Sequence, residues 1–178
     1  LLNSSTPAAI EELNKGLADL AFVTTPADIT QKLRSTPLAD VQEVAVCGGA
    51  YRSLTGCKVT LEALSGYPLI SLGEHGSTYR LYRQFFADHH VPFEPDIEAA
   101  TADQILPMVK ANLGIGFVPA SFLSEADWGQ SIYPIDLVQK LPPRKVCLVE
   151  SAQYSAAAAA KELKKICFAH SAAVDLFP

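Results

Sequence analysis

Short apolar segments alternate with amphipathic segments along most of this chain. Ile10, Leu13 and Leu17 recur at helical spacing, Gly16 is a natural helix stop, and residues 19–23 then form a short apolar run typical of a buried strand. Further strand patterns lie at 41–47, 67–72, 96–99, 115–119, 132–135 and 145–149. Strands joined through helices build a parallel sheet. The alternation therefore predicts an α/β fold.

Size and composition exclude several classes of protein. Of the 178 residues, 49% are apolar and 19% charged, so the chain can bury a sizeable core. The net charge of −5 argues against nucleic-acid binding by this chain itself, because phosphate binding needs clustered cations. No segment approaches the roughly 18 consecutive apolar residues of a membrane helix, and the first residues lack the basic start of a signal peptide. We expect a soluble, cytoplasmic protein without a membrane partner.

The cysteines and histidines indicate neither a metal site nor a cofactor. Cys47, Cys57, Cys147 and Cys167 contain no Cys-x-x-Cys pair, and the four histidines add no zinc-ligand spacing. Three of the cysteines, all but Cys57, lie in apolar patterns, which favours buried reduced thiols. A disulfide framework is the alternative.

Several helix ends can be predicted from capping residues. Thr6 is expected as an N-cap with Pro7 at the first helical position. A second helix is expected to begin at Thr101, with Gln104 completing a capping box, and to end at Gly114. Pro107 lies inside that helix and should bend it or remove one backbone hydrogen bond.

Three motifs, in order and at matching spacing, resemble the effector-binding domain of LysR-type transcriptional regulators. Residues 13–23 read LNKGLADLAFV, similar to that family's "L…G…DLA" signature. The second motif combines YPLI at 67–70, GSTYR at 76–80 and FF at 85–86, and the third is ILPMVKANLGIGFVP at 105–119. The resemblance covers about residues 3–150.

This resemblance implies a fold similar to type II periplasmic binding proteins, in which two Rossmann-like α/β lobes are joined by two crossover strands. Lobe I would comprise residues 1–46 plus 145–178, lobe II residues 47–144, and the crossovers about 44–47 and 144–149. The family's first lobe I strand and its N-terminal winged helix-turn-helix have no counterpart in this sequence. DNA binding is therefore expected only through that missing N-terminal domain.

Hydroxyl-rich helix starts predict where a ligand binds. Ser5 with Thr6, then Gly76, Ser77 and Thr78, and then Thr101 each lie at an expected helix N-terminus, which attracts anions. Such turns gather outside the carboxyl ends of parallel strands. The predicted ligand is a small carboxylate or similarly polar effector held between the lobes, and helix capping alone is the alternative.

The resemblance adds two threonines to this predicted site, and the sequence beside Ser77 adds a histidine. Thr24 and Thr25 would line the cleft from lobe I, where some relatives carry an arginine. Either another cation replaces that arginine here or the ligand is less anionic. His75 is a candidate hydrogen-bond donor beside Ser77, and its alternative is a solvated loop histidine.

The function implied by the resemblance is ligand sensing for transcription regulation. A homodimer is expected, with a tetramer for the full-length regulator. The sequence shows no nucleophile motif and no P-loop lysine, so no catalytic residue and no enzyme are predicted. Cys47 and Cys57 invite comparison with peroxide sensors, whose reactive pair, however, belongs near residues 71–78. The alternative function is a type II solute-binding protein of a transporter.

Overall fold

Most strands and helices follow the order that the sequence pattern predicts, and two further strands, Leu33–Val41 and Lys58–Val59, are added to it. The computed structural model describes residues 1–123, 130–153 and 155–174. Within these ranges the strands are β1 (Leu20–Thr24), β2 (Leu33–Val41), β3 (Glu43–Cys47), β4 (Lys58–Val59), β5 (Leu69–Leu72), β6 (Ile97–Ala99), β7 (Ile115–Pro119), β8 (Tyr133–Leu137) and β9 (Arg144–Ser151). The α-helices are α1 (Thr6–Asn14), α2 (Leu61–Leu64), α3 (Ser77–Asp88), α4 (Ile105–Lys110) and α5 (Ala158–Val174).

The chain divides into two compact units. Unit 1 comprises residues 1–40 and 144–178, and unit 2 comprises residues 41–143. Each unit has its own sheet, and each buries its own apolar cluster. The lobe boundaries expected from the resemblance stay a prediction.

Unit 1 is built on a small sheet with the strand order β1-β9-β2. β1 and β9 are antiparallel, with Leu20 opposite Glu150 and Thr24 opposite Val146. α1 packs on this sheet through Ile10 and Leu13, and among the described residues the buried cluster around them consists of aliphatic side chains and Cys147. β2 is absent from the sequence prediction because its polar residues and Pro37 leave it mostly exposed and without an alternating apolar pattern.

The two ends of α1 show how local sequence sets a helix boundary. Ser5, not Thr6, is the N-cap, because the Ser5 carbonyl accepts the first helical bond, from the Ala9 N–H at 2.9 Å. The predicted stop at Gly16 is confirmed. Gly16 has φ +70 and donates to the Leu13 carbonyl while Leu17 donates to Glu12, which is a Schellman motif. Leu17 therefore lies beyond the helix and is exposed, contrary to the predicted apolar stripe.

Unit 2 is built on a mixed sheet with the strand order β4-β8-β3-β7-β5-β6. β5 runs parallel to both β6 and β7, as strand–helix–strand units require, whereas β3 is antiparallel to β7 and β8. One face of the sheet packs on an aromatic cluster that includes Phe86 and Phe117. The other face packs on Ile105 and Val109 of α4.

The start and end of α4 differ from the prediction. Residues 102–104 form a 3₁₀ turn, and α4 begins at Ile105, which puts Pro107 in the first helical turn where its missing N–H costs nothing. The helix ends in a second Schellman motif at Asn112, which has φ +60, and not at Gly114. Gly114 has a different role, because a Cβ there would lie 2.6 Å from the Pro68 carbonyl oxygen.

Candidate functional site

Two strand ends of unit 2 lie level at one edge of its sheet. The register of the parallel pair β5–β6 places Leu72 opposite Ala99, the last residue of each strand. The chain continues from Leu72 through residues 73–76 into α3, and from Ala99 through Thr101 into a 3₁₀ turn. The predicted Gly76, Ser77, Thr78 and Thr101 therefore gather at the carboxyl edge where ligands of α/β sheets bind.

The N-terminus of α3 presents backbone donors at this edge. Gly76 is the N-cap with extended backbone (φ −78, ψ 149) and provides no side-chain cap. At this end an intrahelical bond runs from the Arg80 N–H to the Gly76 carbonyl, so the N–H groups of the first turn precede the helical hydrogen-bond ladder. Ser77 is buried and Thr78 partly buried beside them. This end of α3 can hold an oxyanion.

Thr101 keeps its hydroxyl out of helix capping. It precedes the 3₁₀ turn with extended backbone, and its side chain makes no cap hydrogen bond. The Gln104 amide oxygen instead accepts from the Ala100 N–H at 3.0 Å. The predicted capping box is thus only half formed, and it is displaced by one residue.

His75 lies on the loop before α3 with its imidazole 98% exposed. Its Nε2 atom is 3.7 Å from the Glu74 carboxylate. This exposure fits the solvated-loop alternative better than a fixed contact with a ligand.

The unit 1 residues of the predicted site lie at the start of α1 and at the end of β1. Thr24 is the last residue of β1, and Thr25 follows it. Ser5 and Thr6 lie at the start of α1, which packs on β1 and is joined to it by the short segment 15–19. Ser5 is exposed and makes no side-chain cap, while Thr6 is partly buried.

A buried cation supports Thr24 and Thr25. Arg144, only 5% exposed, donates from Nη2 to the Thr24 hydroxyl oxygen at 2.6 Å and from Nε to the Thr25 carbonyl at 2.7 Å. The Lys145 backbone N–H donates to the Thr25 hydroxyl at 2.9 Å. The Lys145 ammonium itself reaches Asp40, whose carboxylate holds the pKa of that lysine above its ordinary value.

Sequence reasoning missed Arg144 as a member of this group. The sequence signal was the first of two consecutive cations, Arg144 and Lys145, placed directly after Pro142 and Pro143 at the head of an apolar strand. A second buried charge, Glu43, begins β3 and accepts from the Tyr82 hydroxyl at 2.9 Å. Both charges stand at the first residue of a strand, where sequence patterns do not distinguish a buried charge from a solvated one.

The cysteines do not form a reactive pair in the described part of the chain. Cys47 is buried and its Sγ lies 3.5 Å from the Tyr51 carbonyl oxygen, whereas Cys57 is exposed. Burial raises the pKa of the Cys47 thiol and so disfavours the nucleophilic thiolate. Across residues 1–123, 130–153 and 155–174, no three His, Cys, Asp or Glu side chains cluster as metal ligands.

Comparison with known proteins identifies the family. The family model described as the LysR substrate binding domain matches residues 1–172. The chain belongs to this family. Domains of the LysR family are regulatory, ligand-sensing parts of transcriptional regulators. No curated protein sequence matches the chain significantly.

Solved structures of LysR regulators share this fold. The regulatory domain of CcmR from Synechocystis PCC6803, in complex with 2-PG, is 14% identical with a TM-score of 0.80, and the match covers 95% of this chain and 80% of that one. The effector-binding domain of QuiR, in complex with shikimate, is 15% identical with a TM-score of 0.77, at coverages of 95% and 78%. HinK, a LysR family regulator from Pseudomonas aeruginosa, is 16% identical with a TM-score of 0.72, and the match covers 93% of this chain and 56% of HinK.

These similarities show the predicted fold class. The chain has the mixed α/β, type II periplasmic binding protein-like fold of LysR substrate-binding domains. None of the described helices is long and apolar enough to span a membrane.

Proposed function

We propose that this domain senses a small polar or anionic metabolite, bound between units 1 and 2, and thereby modulates transcription by a LysR-type regulator. The observation that carries the proposal is the register of β5 and β6, which brings the N-terminus of α3 and Thr101 to one sheet edge. Hydroxyls and helix N–H groups at such an edge bind carboxylates and phosphates. The ligands named for the CcmR and QuiR domains support this chemical class.

In this proposal the effector contacts come from both units. Ser77, Thr78 and Thr101, with the backbone of Gly76, act from unit 2, and His75 lies at the rim. From unit 1, Thr24 and Thr25 act with Ser5 and Thr6. The effector changes regulation only through the difference in its affinity between the relative orientations of the two units.

We extend the proposal to the partners of the whole regulator. The domain acts in the cytoplasm as a homodimer, the full-length regulator as a tetramer, and DNA is bound by a separate N-terminal helix-turn-helix domain. Size-exclusion chromatography with light scattering tests the dimer, and a monomer at all concentrations would contradict it.

A thermal-shift screen of amino acids, aromatic acids and sugar acids tests the ligand proposal. We expect at least one acidic compound to raise the melting temperature, because a ligand that binds only the folded state stabilises it. Ser77→Ala combined with Thr101→Ala should lower the affinity of the domain for that compound by about tenfold or more. The matched control is Ser35→Ala with Ser53→Ala, two exposed hydroxyls in β2 and in the segment before β4. Equal affinity of the Ser77/Thr101 variant and the control would show that the site is misplaced.

A further inference from the structure

Thr24 and Thr25 are held by groups that can only donate hydrogen bonds. The Thr24 oxygen accepts from the Arg144 guanidinium, and the Thr25 oxygen accepts from the Lys145 backbone N–H. A guanidinium and a backbone N–H carry no acceptor lone pair, whereas a hydroxyl has one hydrogen to donate and two lone pairs. Each threonine hydrogen must therefore point away from the group that holds its oxygen.

The hydroxyl hydrogens meet no protein acceptor in the part of the chain that the structure describes. All hydrogen bonds of the two side chains there are those received from Arg144 and Lys145. Both threonines are only partly buried, so their hydroxyls remain open to a small molecule. The Thr25 backbone is fixed as well, because its carbonyl accepts from Arg144 Nε and its N–H donates to the Lys145 carbonyl. Thr24 and Thr25 are thus held in place with both hydroxyl groups able to donate a hydrogen bond.

The charge of Arg144 makes the Thr24 hydroxyl a stronger hydrogen-bond donor. Arg144 is 95% buried, so its charge is poorly screened by solvent. The 2.6 Å hydrogen bond to Thr24 is charge-assisted, and an oxygen polarised in this way makes its own hydrogen a better donor. The positive charge of Arg144 thus favours an anion at the end of β1 by polarising the Thr24 hydroxyl.

We propose that Arg144 is a positioning residue that makes Thr24 and Thr25 a subsite at which both hydroxyls donate to the oxyanion end of the effector. The subsite prefers carboxylate or phosphate oxygens, which accept both hydroxyl hydrogens, over an ammonium group, which the buried Arg144 charge repels. It supplies the cation that neutral threonines at this position otherwise lack. The proposal rests on the proposed ligand-sensing function and specifies the unit 1 half of its site.

Acetate is the probe for this subsite, followed through the threonine methyl resonances of isotope-labelled protein. We expect acetate to shift the Thr24 and Thr25 methyls saturably, and methylammonium at equal ionic strength to leave them unmoved. Thr24→Ser keeps the hydroxyl, and its affinity for acetate should be within about twofold of that of the parent. The isosteric Thr24→Val lacks the hydroxyl and should lower the affinity for acetate about tenfold. Both affinities are read from the shift of the Thr25 methyl. Shifts absent from both methyls, or caused equally by both ions, would overturn the proposal.

A double-mutant cycle separates positioning from a structural effect of Arg144. Arg144→Lys keeps the charge but not the paired donors, and should lower the affinity for acetate severalfold in the parent protein. In the Thr24→Val background the same change should have little further effect, because the route through Thr24 is already broken. Additive effects would overturn the positioning role. Arg144→Met should repeat the loss, and if it unfolds, the lysine variant carries the test.

The outcome is distinguishable from failure of the ligand-sensing function. A metabolite that stabilises the parent and a Thr24→Val, Thr25→Val variant equally would leave sensing intact and refute the oxyanion subsite. Acetate binding at Thr24 and Thr25 without any stabilising metabolite would support the subsite and count against the proposed class of effector.

Discussion

The two units both present hydroxyl groups at the carboxyl ends of strands, but they hold them by different means. In unit 1, Thr24 and Thr25 are fixed by a side chain and a backbone group more than a hundred positions later in the chain, with sequence separations of 119 and 120 residues. In unit 2, Ser77 and Thr78 belong to a loop and a helix start that are contiguous in sequence.

This difference determines which half of the site a sequence motif can reveal. A helix N-terminus after a strand is a local pattern, whose donors follow from the geometry of the first turn. A buried guanidinium against a strand end requires a tertiary contact. Unit 1 should therefore be sensitive to one distant side chain, and unit 2 to the packing of backbone beneath its strand ends.

The largest loss of stability is expected when Arg144, which holds Thr24 and Thr25 in unit 1, is replaced. Arg144→Met leaves the Thr25 carbonyl and the Thr24 hydroxyl without their charged donor and should lower the free energy of unfolding by about 3 kcal/mol. Urea denaturation followed by circular dichroism measures it. Arg83→Met, at an exposed position on α3, is the matched control and should unfold like the parent. Equal midpoints for the two variants would show that unit 1 does not depend on this contact.

A smaller loss of stability is expected in unit 2, where Gly114 lies close to the backbone of Pro68. Gly114→Ala places a Cβ 2.6 Å from the Pro68 carbonyl oxygen, beside the point where β5 and β7 begin to pair, so the backbone must shift. We expect a loss of about 2 kcal/mol in the same unfolding measurement. Gly49→Ala has no heavy atom of the described residues within 4 Å of its new Cβ and should change little. If both variants unfold alike, the close approach at Gly114 is not limiting.

The smallest effect contrasts two carboxylates, one in each unit. The Lys15 ammonium lowers the pKa of Glu11 in unit 1 through a hydrogen bond and its charge, whereas hydrogen bonds from its own backbone and from Thr60 chiefly lower that of Glu62 in unit 2. Salt screens exposed ion pairs more than hydrogen bonds. Added sodium chloride should therefore raise the pKa of Glu11 towards its ordinary value and leave that of Glu62 lowered, as measured by carboxyl-carbon NMR titration.

The sign of the associated stability follows from the lowered pKa values. Each carboxylate binds protons less readily in the folded state, so its contribution is present above the ordinary pKa of about 4.5 and is lost as the pH falls below it. High salt should reduce this acid-dependent loss for Glu11, and Glu62→Gln should remove the part due to Glu62. A Glu62 pKa that moves with salt as much as that of Glu11 would contradict the assigned causes.

Local patterns predicted elements of both units and failed at particular points in each. The strand around Ile70, the helix through Phe85 and Phe86 and the strand through Phe117 all carry apolar spacing that only one element satisfies. β2 could not be predicted, because its mostly exposed residues leave no apolar pattern. The helix expected from Thr101 was misplaced, because Pro107 is tolerated only in the first turn and moves the α-helical start to Ile105.

By itself, the sequence determined the α/β class, the helix stop at Gly16 and the resemblance to LysR effector-binding domains, because these depend on the periodicity and turn chemistry of neighbouring residues. The tertiary structure alone decided that Leu72 and Ala99 end level in one sheet and that Arg144 lies against Thr24. Strand register and a buried charge are set by contacts between distant segments. Such contacts follow from which surfaces are buried together, and no local pattern in the chain records them.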